Sequence, residues 1–269
     1  MIQSIRLMRA VALASYKQAT AFRSQMAVSI LTGPVYFLIQ FFIWSAVFST
    51  RDTVNGMTFE QILAYYGLAA LINYIIFDSA DWDVQDLVHS GKLVTFLLRP
   101  ISYRFYAFSA KTGNRLLAFM LELIPVYFIF YGVFHIRLIP AQAGWFIVSV
   151  ILSFVMTFLV NFCIGTCAFW LMRAHGVRRV FLLFKDFSAG VFVPLSFFPD
   201  VLQTVVFFMP FQFISYVPIQ VFLGSYQLAG HSLSLPAVVG LQALAVMGMW
   251  GISELLWRLG VKKFTGVGT

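Results

Sequence analysis

Long apolar runs separated by short polar stretches dominate this chain of 269 residues. A hydrocarbon core about 30 Å thick requires about 20 apolar residues per helix. Six runs meet this requirement, and they predict an all-α integral membrane bundle with six transmembrane helices: 26–48, 61–77, 116–136, 145–172, 180–198 and 235–257.

A seventh apolar run, residues 201–224, is broken by Pro210 and Pro218. Backbone that is not helical survives at membrane depth only where it is buried in protein. We therefore expect a re-entrant or outer-surface helical hairpin here, within an outer hairpin and loop that covers 201–234.

Composition agrees with a membrane protein, because 61% of the residues are hydrophobic and only 10% are charged. Soluble domains carry roughly a quarter charged residues. Little length remains for a soluble domain, so residues 1–269 are predicted to form a single transmembrane domain.

The basic residues predict the orientation of the spans, because cytoplasmic segments near span ends are rich in Lys and Arg. Sixteen of the 18 basic residues fall on one side of the predicted bundle, and only Arg51 and Arg137 fall on the other. Both termini are therefore expected in the cytoplasm. The net charge of +8 needs no nucleic-acid partner, because the orientation rule and attraction to anionic membrane lipid account for it.

The first 25 residues have the pattern of an amphipathic helix. Arg6, Arg9, Lys17 and Arg23 fall in one arc of a helical wheel, with apolar side chains opposite. Residues 1–25 are predicted to lie as an interfacial helix on the inner membrane surface. A simple basic tail is the alternative.

The candidate intramembrane polar sites are Glu122, Asn161, Lys185 and Asp186. Glu122 and Lys185 have similar predicted depths, so we expect both to face the bundle interior and to form an ion pair. The alternative is a Lys185 that extends to the interface beside Asp186. Asn161 belongs to a row of small and polar residues at steps of four, which predicts close helix packing: Ser149, Ser153, Thr157, Asn161 and Gly165.

Residues 78–115 form the longest predicted cytoplasmic segment. Asp83 is predicted to cap a short helix that Gly91 ends. A helix of about eight residues is unstable alone in water, so it must dock on something. Its apolar pair, Leu87 and Val88, is the predicted docking area.

The same segment contains Asp78, Asp81, Asp83 and Asp86, which raises the alternative of a metal-dependent lipid or prenyl transferase. On one helix the first two would face a different side from the last two, and a second acidic cluster for a two-metal site is absent from the sequence. Cys163 and Cys167 are expected to be buried structural thiols, so no metal site is predicted. A channel or scaffold protein is a further alternative.

The stretch GKLVTFLLRPI, residues 91–101, resembles the G-x-L-x-x-x-L-x-R-P-I/V segment of the six-span type-two export permeases of ATP-binding-cassette (ABC) transporters. The matching positions are Gly91, Leu93, Leu97, Arg99, Pro100 and Ile101. The resemblance covers essentially the whole chain.

By resemblance, the helix before this motif is a coupling helix that sits in a cleft of an ATPase subunit. The residues that take this role are Asp83, Val84, Gln85, Asp86, Leu87, Val88, His89, Ser90 and Gly91. The chain contains no G-x-x-x-x-G-K-[ST] phosphate loop, so it is not expected to be an enzyme or to hold a cofactor. ATP and Mg²⁺ are expected in partner ABC ATPase subunits.

The resemblance also implies a second permease subunit, either identical or a paralogue. It further implies an exporter in the bacterial cytoplasmic (inner) membrane.

Overall fold

A computed structural model describes residues 6, 9–14, 17, 28–99, 101–134, 138–171 and 175–264. The helices are α1 (Thr32–Phe48), α2 (Phe59–Ile76), α3 (Ala80–His89), α4 (Leu93–Leu97), α5 (Tyr103–Ala118), α6 (Ile124–Gly132), α7 (Ala143–Thr166), α8 (His175–Ser188), α9 (Asp200–Phe208), α10 (Tyr216–Leu223) and α11 (Leu235–Lys263). A π-helical segment, Phe119–Leu123, joins α5 to α6, and 3₁₀ turns occupy Cys167–Phe169, Leu195–Phe197 and Pro210–Phe213. A short hairpin pairs β1 (Tyr226–Leu228) with β2 (His231–Leu233).

Four stretches of the described chain are long and apolar enough to cross a membrane. They are Phe59–His89, Tyr103–Gly132, Ala143–Phe169 and Leu235–Lys263. Helix α1 is also apolar but has only 17 residues. These helices agree with the prediction of an all-α, multi-pass membrane protein.

The helix predicted as the third span, 116–136, begins earlier in the chain than predicted. The helix starts at Tyr103 and continues through the π-helical segment to Gly132. Part of the predicted cytoplasmic segment 78–115 is therefore the first half of a long helix. Arg104, Lys111 and Arg115 all lie on α5, so this half of the helix does not form an apolar run and was not predicted as part of a span.

The predicted fifth span, 180–198, is not one helix. Helix α8 ends at Ser188, and Gly190 has a φ of +75°, a conformation that glycine adopts without strain. Hydroxyl groups from α2 replace the lost helical hydrogen bonds, since Tyr65 donates to the Gly190 carbonyl at 2.6 Å and Tyr66 to the Phe192 carbonyl at 2.8 Å. The chain then continues through two short helices, α9 and α10, in the region predicted as a hairpin.

The described part of the N-terminal region is helical at Arg6, at 9–14 and at Lys17, and the three basic side chains are exposed. The backbone at Ala12 runs directly against Gly113 of α5, where a Cβ would have no room. Arg23 and the remaining positions of the predicted amphipathic helix lie outside the described residues.

Helix α7 lies at the centre of the bundle and contacts α2, α3, α10 and α11. The buried amide of Gln242 on α11 binds the first half of the predicted row of small residues. Ser149 Oγ donates to Gln242 Oε1 at 2.8 Å, and Gln242 Nε2 donates to Ser153 Oγ at 3.0 Å. A buried amide with such partners fixes the register of two helices, because leaving it unpaired would be costly.

The second half of the row packs against α3. A Cβ at Gly165 would lie 2.8 Å from the Val84 Cβ and 2.9 Å from the Asp81 carbonyl oxygen. Helix α3 therefore reaches α7 only because this position has no side chain. The prediction of a close-packing face on α7 is confirmed at both ends.

We expect Gly165→Ala to lower the free energy of unfolding by about 1–3 kcal/mol, because the added methyl overpacks the contact between α7 and α3. Gly240→Ala is the matched control, since a Cβ at this position of α11 meets nothing within 4 Å. The control should be neutral or stabilising. Thermal unfolding of the purified chain in detergent tests this, and equal behaviour of the two variants would contradict the packing.

Candidate functional site

Helix α3 follows α2 after a three-residue break at 77–79. Asp78 Oδ2 accepts a hydrogen bond from the Ala80 backbone N–H at 3.1 Å, so this side chain supports the turn. Because α3 begins at Ala80, the prediction that Asp83 caps this helix is wrong. Asp81 and Asp83 instead lie in the first turn, where negative charge stabilises a helix. The predicted stop at Gly91 is confirmed by its φ of +71°.

The buried residues of α3 are Ala80, Asp81, Val84, Gln85, Leu87 and Val88. Leu87 and Val88 are only 7% and 9% exposed and belong to a core cluster that includes Phe158 and Phe162 of α7. The prediction that these two side chains form a docking area for a partner is wrong. They attach α3 to its own chain.

The opposite face of α3 consists of Trp82, Asp86, His89 and Ser90, which are exposed. We call these four residues the exposed face of α3. Trp82 keeps 49% of its surface exposed, and the Arg178 guanidinium lies 5.1 Å from its ring centroid. The His89 ring lies 3.3 Å from the Leu171 carbonyl oxygen, so the C-terminal end of α3 also contacts the chain after α7.

Ion pairs fix α3 to two other helices. Asp81, whose side chain is 2% exposed, pairs with Arg178 of α8. Asp83 pairs with Lys111 of α5 at 2.6 Å, and the Lys111 ammonium also donates to Ser79 Oγ at 2.7 Å. Helix α3 is thus bound to α7 by packing and to α5 and α8 by charge.

The four aspartates do not converge. The Asp78 carboxylate accepts from Asn161 at 3.4 Å, whereas Asp81 pairs with Arg178, Asp83 with Lys111, and Asp86 with Lys92 at 3.9 Å on the surface. Within the described residues, no group of three or more His, Cys, Asp or Glu side chains could hold a metal ion. The arrangement therefore does not favour the transferase alternative.

The motif after α3 forms a short surface helix. Leu93 is fully buried, whereas Val94, Leu97 and Leu98 are exposed. Arg99 lies over the Phe96 ring at 4.7 Å from its centroid, and Ile101 is partly buried. Pro100 lies outside the described residues. Helix α4 therefore extends the surface next to α3 with apolar side chains.

The predicted ion pair between Glu122 and Lys185 is absent from the described structure. Both side chains are buried, but Glu122 accepts a hydrogen bond from Ser29, before α1. Lys185 donates to Asn161 Oδ1 at 3.2 Å and pairs with Asp186 at 3.4 Å. The prediction failed because similar depth does not fix the direction in which a side chain points around its helix axis.

Asn161, Lys185 and Asp186 border a cavity of about 380 Å³. Its walls come from α1, α2, α7, α8 and the start of α3, and we call it the polar cavity. Its charged lining residues are Asp78, Asp81, Arg178, Lys185 and Asp186. The residues that hold α3 in place are thus also residues of an internal cavity.

A model of the family described as ABC-2 family transporter protein matches residues 35–268. The chain belongs to this family. The match covers nearly all of the described helices, including α3, α4 and the walls of the polar cavity. Membership makes this ABC-2 chain a membrane subunit rather than an ATPase, and it implies ABC ATPase partners in general. No curated protein matches the chain.

Sequence reasoning missed Arg178 and Lys111 as the partners of α3 in this ABC-2 chain. One signal was available, because Asp81 and Asp83 face different sides of a helix and so require different partners. The identity of those partners could not be inferred from the sequence, because Arg178, for example, lies on α8, 97 residues after Asp81.

We expect Asp81→Asn to destabilise the chain by about 3 kcal/mol, near the lower end for removing one member of a buried ion pair, because Arg178 retains some contact with solvent. Asp86→Asn is the control on the same helix, and its exposed pair should change stability by less than about 1 kcal/mol. Thermal unfolding in detergent provides the measurement. A melting temperature for Asp81→Asn equal to that of the native chain would contradict the role of this pair.

Proposed function

We propose that this ABC-2 chain is the permease subunit of an exporter and that a separate ATPase docks on the exposed face of α3. The observation that carries the proposal is the division of α3 into two faces. One face is buried in the chain's own core, and the other presents Trp82, Asp86 and His89 to solvent. A short helix held in this way suits contact with a partner, and tryptophan is enriched among residues that dominate binding energy.

The attachment of α3 also provides a route for mechanical coupling. A displacement of α3 by the ATPase would act on α7 through the Gly165 contact and on α8 through the Asp81–Arg178 pair. It would act on α5 through the Asp83–Lys111 pair. Because α7 and α8 also form walls of the polar cavity, movement of α3 would change the shape of the cavity.

The apolar residues of α4 continue this surface. Val94, Leu97 and Leu98 lie next to α3 in the chain and are exposed, so they would contact either the ATPase or the inner lipid surface. Arg99, held over Phe96, would anchor this segment at anionic headgroups.

The working transporter is proposed to contain two permease subunits, identical or paralogous, and two ATPases that bind ATP and Mg²⁺. Helix α1 supports a second subunit or lipid as its neighbour, because a row of its apolar side chains is exposed, including Val35, Ile39, Phe42 and Ile43. The proposed location is the bacterial inner membrane with both termini in the cytoplasm, which the charge asymmetry of the sequence supports.

We expect Trp82→Ala to weaken ATPase binding at least about tenfold, because loss of a central tryptophan at an interface costs about 2 kcal/mol or more. The chain is purified gently from its native membrane. Vanadate-sensitive, Mg²⁺-dependent ATP hydrolysis that elutes with the chain is then measured for both forms.

Trp145→Ala is the matched control, because Trp145 is 38% exposed and lies at the opposite end of α7 from the Gly165 contact. This variant should retain the co-eluting ATPase activity, and both variants should melt like the native chain. Retention of normal ATPase binding by Trp82→Ala would overturn the proposed docking face. Absence of any ATPase from the native preparation would overturn the proposed function.

A further inference from the structure

Asp78, which lines the polar cavity, has one carboxylate oxygen that accepts no hydrogen bond from the described residues. Asp78 is 8% exposed, and its Oδ2 accepts from the Ala80 N–H and from Asn161 Nδ2 at 3.4 Å. Its Oδ1 is buried and accepts no hydrogen bond from any described residue. A buried carboxylate oxygen is stable only when a donor or a cation reaches it.

No described Lys or Arg side chain lies within salt-bridge distance of Asp78. Asp81 pairs with Arg178, and Asp186 pairs with Lys185. These pairs use both basic residues that line the cavity, so the lining carries one carboxylate in excess.

Two more basic residues lie near Asp78 but are directed elsewhere. Lys111 contacts Ser79 and Asp83. Arg115 donates to the Tyr74 carbonyl and lies over the Phe77 ring at 5.1 Å from its centroid. Both interact electrostatically with Asp78, but neither lies within salt-bridge distance of its carboxylate.

Aromatic residues also line the polar cavity. Tyr36, Tyr74, Phe77 and Phe192 all line the cavity. The face of an aromatic ring attracts cations, and more strongly where water is excluded. Thr32, Phe77 and Phe192 are exposed, so they mark the side on which the cavity is open.

We propose that the polar cavity binds the positively charged group of a lipophilic organic cation, with Asp78 as the counter-ion and the aromatic wall around the apolar part. The volume of about 380 Å³ lies within the range of about 300–1,000 Å³ that holds drug-sized ligands. The proposal assigns a substrate class to the proposed exporter and so rests on that function. The site itself belongs to this chain alone and can be tested without the ATPase.

The test uses two ions of the same shape and opposite charge, tetraphenylphosphonium and tetraphenylborate. Equilibrium binding of each ion is measured on the purified chain in lipid nanodiscs, with empty nanodiscs subtracted. Saturable binding of tetraphenylphosphonium is expected, at least about tenfold tighter than that of tetraphenylborate, because a charge-assisted contact contributes about a factor of ten or more. Equal affinity for the two ions, or no saturable binding of the cation, would overturn the proposal.

Asp78→Asn keeps the size of the side chain and removes its charge, so it should weaken binding of the cation at least about tenfold. Asp200→Asn is the matched control, because Asp200 is exposed at the start of α9 and away from the cavity. Native affinity in Asp78→Asn would overturn the assignment.

Thr32→Trp provides a second variant at an exposed position of the open side, where folding should tolerate it, and it should reduce the amount of cation bound. If Asp78→Asn fails to fold, this variant and the comparison of the two ions on the native chain still decide the matter. Failure of these binding tests while an ATPase co-purifies would reject the cation site and leave the proposed exporter standing.

Discussion

The close approach of α3 to α7 is the constraint on which the rest of the structure depends. Gly165 leaves room for the backbone of α3, and Asn161, one turn earlier, donates to the Asp78 carbonyl at 3.0 Å. These two contacts hold the start of α3 and its apolar side against α7. The same placement brings Asp81 to Arg178 and leaves Trp82 on the surface. One packing contact thus determines both the proposed docking surface and a wall of the polar cavity.

Ion pairs add to the packing that holds α3 in place. A helix of ten residues with a small apolar face would be marginal alone, but it gains two ion pairs to separate helices. The Asp81 side chain of this ion pair is only 2% exposed. Separating it from Arg178 would leave a buried charge unpaired, which costs free energy. A partner that moves α3 would therefore move α5 and α8 with it, which is the property required of a coupling element.

Sequence patterns predicted the apolar runs, the short helix that ends at Gly91 and the packing row on α7. They did not predict which face of α3 is buried, because Val84, Leu87 and Val88 have the spacing of an apolar helix face whether the neighbour is the same chain or another. They also missed the break after Ser188, since the residues that follow remain apolar while tyrosine hydroxyls satisfy their backbone. The ion-pair partners of α3 lie far away in sequence, and only the fold brings them together.

Contact between the exposed face of α3 and an ATPase is the central proposal for this chain. Site-specific photo-crosslinking in native membranes tests it most directly, with benzoylphenylalanine placed at Asp86 and, as a control, at Val201, which is 75% exposed in the region predicted to lie on the outer side. We expect an adduct with an ATP-binding subunit from position 86 and none from position 201. An adduct from position 201, or none from position 86 in an assembled transporter, would contradict it.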